Sequence, residues 1–540
     1  VGESARKALS NSLRGIIRRP NYTVLYEGLD KLIKKIGGYW PDGLESIRSV
    51  RIYELDHMPE KMQQEIRPMI DAWEALLLPD NIAEKIAQIV DKPFWEHLKE
   101  KNGALVDLSE GRAVDFAHEL SGNIDLLFPF SEALVTGELR KGYLFGRELA
   151  LSNNNHKEFL DSLLRAIQRL NEGSRANCNV LASYLTVLKT NDFPIYQEYI
   201  DRIFEEKSLN RYYLDCVRVG GIDADNLSKI LTLLKLGYIE ISVIKNLAYG
   251  SVTAGVKPGA MVEFCEGVLS LNKNWAWVCL EVLYMYAHGD TEKKSVGETF
   301  FIRLISVIDF TEQENFHTMD MHYWEEVCKL IIKKDDIDLI RSITNKVFLS
   351  ANTENIASIS DHAIHAVLDA LIKSGYYQIV LDKVAKALRN DGFLYKHNIE
   401  HLLSGSAVRD NHGHILDIPE DILMDWADRN LDVGPKYLAK AAPLYAEADG
   451  NFLCHSLAMK IIDKYGDDKD VLKNISSFAG MKFISGSLIP DMLGQKVAYE
   501  QLSEHSNPNV REWASDHLDY VNQSIDAENR REEAQGFGIF

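Results

Sequence analysis

The sequence predicts an all-α fold, a superhelical array of helical hairpins, on three observations. Proline is scarce, apolar residues recur at helical spacing, and one helix–turn–helix pattern returns along the chain. There are 14 prolines in 540 residues and none between Pro258 and Pro419. Proline breaks helix interiors and central strands alike, so that gap implies long uninterrupted elements.

Periodicity makes those elements helices. Leu227, Ile230, Leu231, Leu233 and Leu234 recur at helical spacing between polar residues, and after Gly237 a second stripe follows in Ile239, Val243, Ile244 and Leu247. The turn then recurs. Leu233-Leu234-Lys235-Leu236-Gly237-Tyr238 is echoed 138 residues later by Leu371-Ile372-Lys373-Ser374-Gly375-Tyr376, and a looser copy without glycine runs through Lys333-Lys334-Asp335-Asp336. Glycine suits such a turn because a helix commonly ends on a left-handed residue, which any β-carbon strains. One hairpin cannot cover its own apolar face, so neighbouring pairs must stack, as in HEAT- and TPR-like solenoids.

Helix starts agree. Ser295-Val296-Gly297-Glu298 has capping-box spacing ahead of the run Phe300 to Ile308, and Pro258 and Pro419 sit where first-turn prolines belong. Trp275 to Ala287 reads as a central buried helix. It is too short for the roughly 20 residues of a bilayer span and carries Glu281. Near the end, Val510-Arg511-Glu512-Trp513-Ala514-Ser515-Asp516-His517-Leu518 resembles the second helix of a HEAT repeat. Val510, Ala514 and Leu518 then face the preceding helix, and Arg511 sits beside the turn. The charged run Asp526 to Glu533 is expected to be a solvent-facing cap, and Gly536 to Phe540 a loose tail.

Three regions are expected. Residues 1–150 form an N-terminal helical region with a basic start, 151–390 hold the central hairpins, and 391–540 form C-terminal repeats with the HEAT-like cap. No low-complexity linker divides them, so one continuous body is expected. The first 40 residues carry eight Lys or Arg against three Asp or Glu, and the chain opens on Val1. Its start is therefore read as a basic helix cut from something larger.

Composition narrows the function. A balance of −20, from 80 acidic against 60 basic residues, disfavours binding to nucleic acid through the bulk surface and favours a partner with basic patches. Cys178, Cys216, Cys265, Cys279, Cys328 and Cys454 form no CxxC pair and no dense framework, which suits reduced thiols in the cytoplasm. No cofactor or membrane segment is expected.

Histidine is the place to look for chemistry, because seven of the sixteen lie between His362 and His455. His397-Asn398-Ile399-Glu400-His401 has the form H-x-x-E-H, in which two imidazoles can hold zinc while the glutamate polarises water. His362, His365, His412 and His414 are possible further ligands. Against this, the apolar side of a helix here is Tyr395, Ile399, Leu402 and Leu403. That leaves both histidines on its flank, and no third ligand is identified. A zinc metallopeptidase is therefore the least favoured reading, and no metal or catalytic residue is assigned. His317 and His322, five residues apart, point to different faces. Phosphate-loop, dinucleotide and nucleophile-elbow motifs are absent from the sequence. Trp275, Trp277, Tyr284, Tyr286, Tyr376 and Tyr377 are read mainly as core; some are candidates for a recognition surface.

Several stretches taken together resemble a known family. They are Gly146-Arg147-Glu148-Leu149-Ala150 leading to Phe159-Leu160 and Leu163-Leu164; Asp192-Phe193-Pro194-Ile195-Tyr196; Tyr249 to Gly255; Trp277 to Gly289; and the Val510-Arg511-Glu512-Trp513-Ala514 end. Their order resembles the C-terminal helical-repeat sensor regions of bacterial antiphage STAND NTPases of the Avs type, from about residue 140 to 540. The resemblance implies a sensor that recognises a phage terminase or portal and triggers oligomerisation of an NTPase core bearing an effector, often a nuclease. Core and effector are missing from this sequence, so the expected role is binding and not catalysis. The alternative is a general HEAT-type scaffold or transport adaptor.

Overall fold

The computed structural model describes residues 22–36, 38–94, 97–99, 105–171, 173–249, 251–308, 310, 318–350, 361–390, 392–404, 414–448, 450–478 and 487–536. Among the described residues the fold is all-α apart from two small antiparallel hairpins, His97–Lys99 with Leu105–Asp107 and Tyr445–Ala448 with Asn451–Cys454. By its internal contacts the chain divides into two compact units, residues 1–271 and 272–540. The expected limits at 150 and 390 fall inside these units. Among the described residues no helix is long and apolar enough to cross a membrane.

In the first unit the helix Tyr22–Ile36 belongs to the basic start and carries Lys34 and Lys35 in its last turn. The helices Pro41–Tyr53 and Glu60–Leu77 bury Trp40, Leu44, Ile47, Ile66, Ile70 and Trp73 together. Within that apolar contact Arg48 Nε donates to Glu74 Oε1 at 2.8 Å, and Arg51 holds the other oxygen. Further on, Gly146 lets the helix Gly142–Ser152 close onto Asn179–Asn191: a β-carbon there would come within 2.5 Å of the Val180 carbonyl.

The repeated turn behaves as its sequence dictates. Gly237 and Gly375 adopt φ of 74° and 86°, and each closes its helix with a pair of end hydrogen bonds. Gly237 N–H donates to Leu234 and Tyr238 N–H to Leu233, while Gly375 donates to Ile372 and Tyr376 to Leu371. In the copy without glycine, Asp335 takes the left-handed position at φ 58°. The segment after Gly237 differs from the expected second helix: only Ile241–Ile244 is α-helical before a 3₁₀ turn, Lys245–Ala248, although Ile239, Val243, Ile244 and Leu247 are buried as the stripe requires.

The helix Thr291–Val307 begins earlier than Ser295. Asp290 is its cap and accepts from the N–H groups of Glu292 and Lys293, so the Ser295–Glu298 pair lies inside the helix. Asp290 wins because its carboxylate meets the free N–H groups one turn sooner. Pro258 opens the helix Pro258–Leu271 as expected, whereas Pro419 stands just before the first turn of Glu420–Arg429, at its N-cap position and without a side-chain cap bond.

In the second unit Ala276–Ala287 is buried on nearly every side, Glu281 included. At the C-terminal end Val510 and Ala514 are fully buried, while Leu518 is half-buried. Arg511 does sit beside the turn: it donates to the carbonyls of His505 and Ser506 at 2.7 and 2.8 Å. Ties to the preceding pair run from His505 to Asp463 and from Asn507 to Asp467, both 2.8 Å. The helix Pro508–Gly536 carries the charged run, most of it exposed, but Glu528 is buried. The expected tail beyond Gly536 lies outside the described residues.

Polar ties of this kind recur in both units at one helix-pair spacing. Tyr199 reaches Asp161 across 38 residues, Lys157 reaches Glu198 across 41, Tyr376 reaches Asp335 across 41, Arg389 reaches Asp432 across 43 and Trp426 reaches the Leu381 carbonyl across 45.

Candidate functional site

The histidine-rich segment splits into two places. On the helix Phe393–Ser404, Ile399, Leu402 and Leu403 face the core as expected and His397 is exposed, its ring stacked parallel on Phe393. Glu400, the would-be base, is ion-paired with Lys440. The side chain of His401 and all of His412 and His317 lie outside the described residues. His322 rests its ring against Tyr284 and Tyr323.

The second place is a cluster that the sequence did not bring together. The helix Asp361–Lys373 buries Val367, Leu368, Leu371 and Ile372, which leaves His365 and Asp369, at i and i+4, side by side on its flank. Opposite lies the 3₁₀ turn His414–Asp417, pinned by buried Ile415 and, just beyond, Ile418. Its ends, His414 and Asp417, lie at i and i+3 and share a side. Across the gap His414 Nε2 and His365 Nδ1 are 3.1 Å apart, one N–H donating to the other nitrogen. One ligand atom each from Asp369, His414 and Asp417 lie within 4.8 Å of one another. Asp369 is also bonded by Lys373 at 2.9 Å. Burial, and then the neighbouring His365, push the His414 imidazole below its ordinary range, against the pull of Asp369 and Asp417. A lone pair on His414 is left for a ligand in the tautomer whose Nε2–H donates to His365 Nδ1. His362, by contrast, is exposed and stands 3.9 Å from Glu325.

The first unit holds an open cavity of about 490 Å³ lined by Arg175, Asn177, Cys178, Asp215, Arg218 and Asn246. Its charges are mostly spent on each other, since Asp215 lies 3.1 Å from Arg175 and 3.9 Å from Arg218. All six cysteines are free thiols, five of them buried. Hydrogen bonding to Cys178, then burial, pushes the Cys216 thiol well up, and burial does the same for Cys328 and raises Cys454 to about 12. None of these three is a ready nucleophile.

The aromatic candidates resolve mainly into core. Trp277, Tyr284 and Tyr286 are buried, while Trp275, Tyr376 and Tyr377 are half-buried. The most exposed large apolar side chain among the described residues is Phe393, at 83 %.

No protein-family model matches the chain, and no curated protein matches it. Sequence reasoning missed Asp369 and Asp417. The available signal was same-face spacing with a histidine, His365 with Asp369 and His414 with Asp417, in two segments 49 residues apart at their histidines.

Proposed function

We propose that this chain is a protein-recognition module, the sensor region of an antiphage STAND NTPase, binding a phage terminase or portal in the cytoplasm. Binding would trigger oligomerisation of an NTPase and effector part outside the chain, and the chain itself performs no catalysis. The observation that supports a recognition role is the recurrence of helix pairs tied across 38 to 45 residues, because stacked pairs of this kind present extended surface to a folded partner. The −20 balance favours a partner with basic patches. The resemblance to sensor regions of the Avs type supplies the class of partner. A binding screen of the purified chain against terminase and portal proteins, with pull-down during infection, tests the proposal. Capture of one such protein, weakened by salt, is expected. Recovery of host proteins alone removes the sensor reading and leaves the HEAT-type scaffold or transport adaptor.

A further inference from the structure

The geometry points to a divalent metal site at Asp369, His414 and Asp417, with His365 orienting the imidazole of His414. The cation is of the class that takes mixed nitrogen and oxygen ligands, zinc first. This is independent of the sensor reading, and it does not use the H-x-x-E-H segment.

Three features carry it. The donors come from two elements held by their own apolar anchors, Val367, Leu368 and Leu371 beneath the helix and Ile415 and Ile418 around the 3₁₀ turn. Their spread of no more than 4.8 Å is close to what an ion demands. With bonds of about 2.0–2.2 Å, ligand atoms on a tetrahedral ion stand roughly 3.3–3.5 Å apart, so closure needs about an ångström of side-chain movement. Asp417 is exposed, which leaves its carboxylate room to rotate that far, while the half-buried Asp369 must first release Lys373.

The imidazole pair separates this cluster from a patch of surface acids. Two ring nitrogens 3.1 Å apart require complementary tautomers, one donating and one accepting. That bond fixes the ring of His414, as outer hydrogen bonds do for metal-bound histidines, and makes His365 a positioning residue.

One group opposes the ion. Lys373 bonds Asp369 at 2.9 Å, but its side chain is 70 % exposed and can leave into water. Lys373 thus competes with a dication for Asp369, and removing that ammonium should tighten metal binding.

The experiment is zinc titration of the full chain against a chromophoric chelator, with elemental analysis after dialysis and far-UV circular dichroism as the folding control. One equivalent of zinc is expected. His414→Ala and the exposed Asp417→Asn should each weaken it at least tenfold, and His365→Ala less than either. Lys373→Met should bind as tightly as the parent or several-fold tighter, and His397→Ala should be unchanged. An unaltered parent that takes up no zinc overturns the assignment. So does zinc retained at parental affinity in folded Asp417→Asn, or zinc lost with His397 instead.

Discussion

Gly146→Ala tests the closest helix contact of the first unit. The new methyl would meet Ser183 Oγ at 2.3 Å, the Val180 carbonyl oxygen at 2.5 Å and Val180 Cα at 3.0 Å. Rotating Ser183 relieves only the first contact; its hydroxyl already donates to that same carbonyl at 3.0 Å. The other two are backbone, so the helix Asn179–Asn191 must retreat by about 1 Å from ordinary contact distance. Overpacking of this kind costs about 1–3 kcal/mol, while alanine in a helix regains about 0.5–1 kcal/mol over glycine. The net loss is about 0–2.5 kcal/mol, centred near 1 kcal/mol, which in a unit of this size lowers the melting temperature by roughly 2–4 °C. Gly111→Ala is the matched control. It lies on the helix Leu108–Glu119, exposed, with nothing within 4 Å of its added carbon. The same chemical change there should raise the melting temperature by roughly 1–4 °C. Scanning calorimetry separates the two outcomes. A Gly146→Ala chain melting at or above the parent, or Gly111→Ala falling as far as Gly146→Ala, would refute the close-contact account.

Three further outcomes are expected. Gly237→Ala and Gly375→Ala, at positive φ, should each lose about 1–2 kcal/mol in urea denaturation, whereas Asp335→Asn should be near neutral because asparagine tolerates that conformation. Glu74→Ala should lose about 3–5 kcal/mol, since it removes the carboxylate paired with Arg48, whose side chain is 6 % exposed; a loss under about 1 kcal/mol would show that the other surroundings of Arg48 suffice to hold its charge. His455 caps the helix Ser456–Tyr465 by accepting from the Leu457 N–H at 3.2 Å, and burial holds its imidazole below the ordinary value. A base depressed in the folded state contributes stability that is complete above its unfolded value of about 6.5 and is lost as pH falls below it. His455→Asn should therefore lessen the fall in stability between pH 8 and 5, and His455→Ala should cost about 1 kcal/mol at pH 8.

Local rules made much of this fold legible. The turn at Gly237 could be read from six residues because a left-handed helix end is a local demand, and Gly375 obeys it in the second unit. Asp335 shows the same demand met without glycine: its carboxylate, reaching Tyr376 at 2.7 Å, ties one turn to the next. The hairpin at Tyr445–Cys454 was also locally encoded, since Asp449-Gly450 is a two-residue hairpin signal and Gly450 has φ of 76°. The helices Gly434–Ala441 and Ser456–Tyr465 on either side mask it in a reading led by helical periodicity. The start at Asp290 was lost for a different reason, as two capping candidates five residues apart compete and only the free N–H groups decide between them.

The features that sequence concealed are those that depend on which segments meet. His397 and His401 share one helix and looked like a site because their spacing is local; yet Glu400 between them is held by Lys440, forty residues away. His365 and His414 looked unrelated, and the packing of Ile415 and Ile418 brings them to 3.1 Å with two carboxylates beside them. A ladder of ties at helix-pair spacing explains both results. Elements about forty residues apart are tied to one another as well as packed on their neighbours in sequence, so side chains can gather across helix pairs and not only within a motif. For a chain built this way, the informative pairs in sequence are those with matching same-face spacing one helix pair apart. By that criterion His365–Asp369 and His414–Asp417 outrank H-x-x-E-H, and the zinc titration with His397→Ala beside His414→Ala decides between local and stacked encoding.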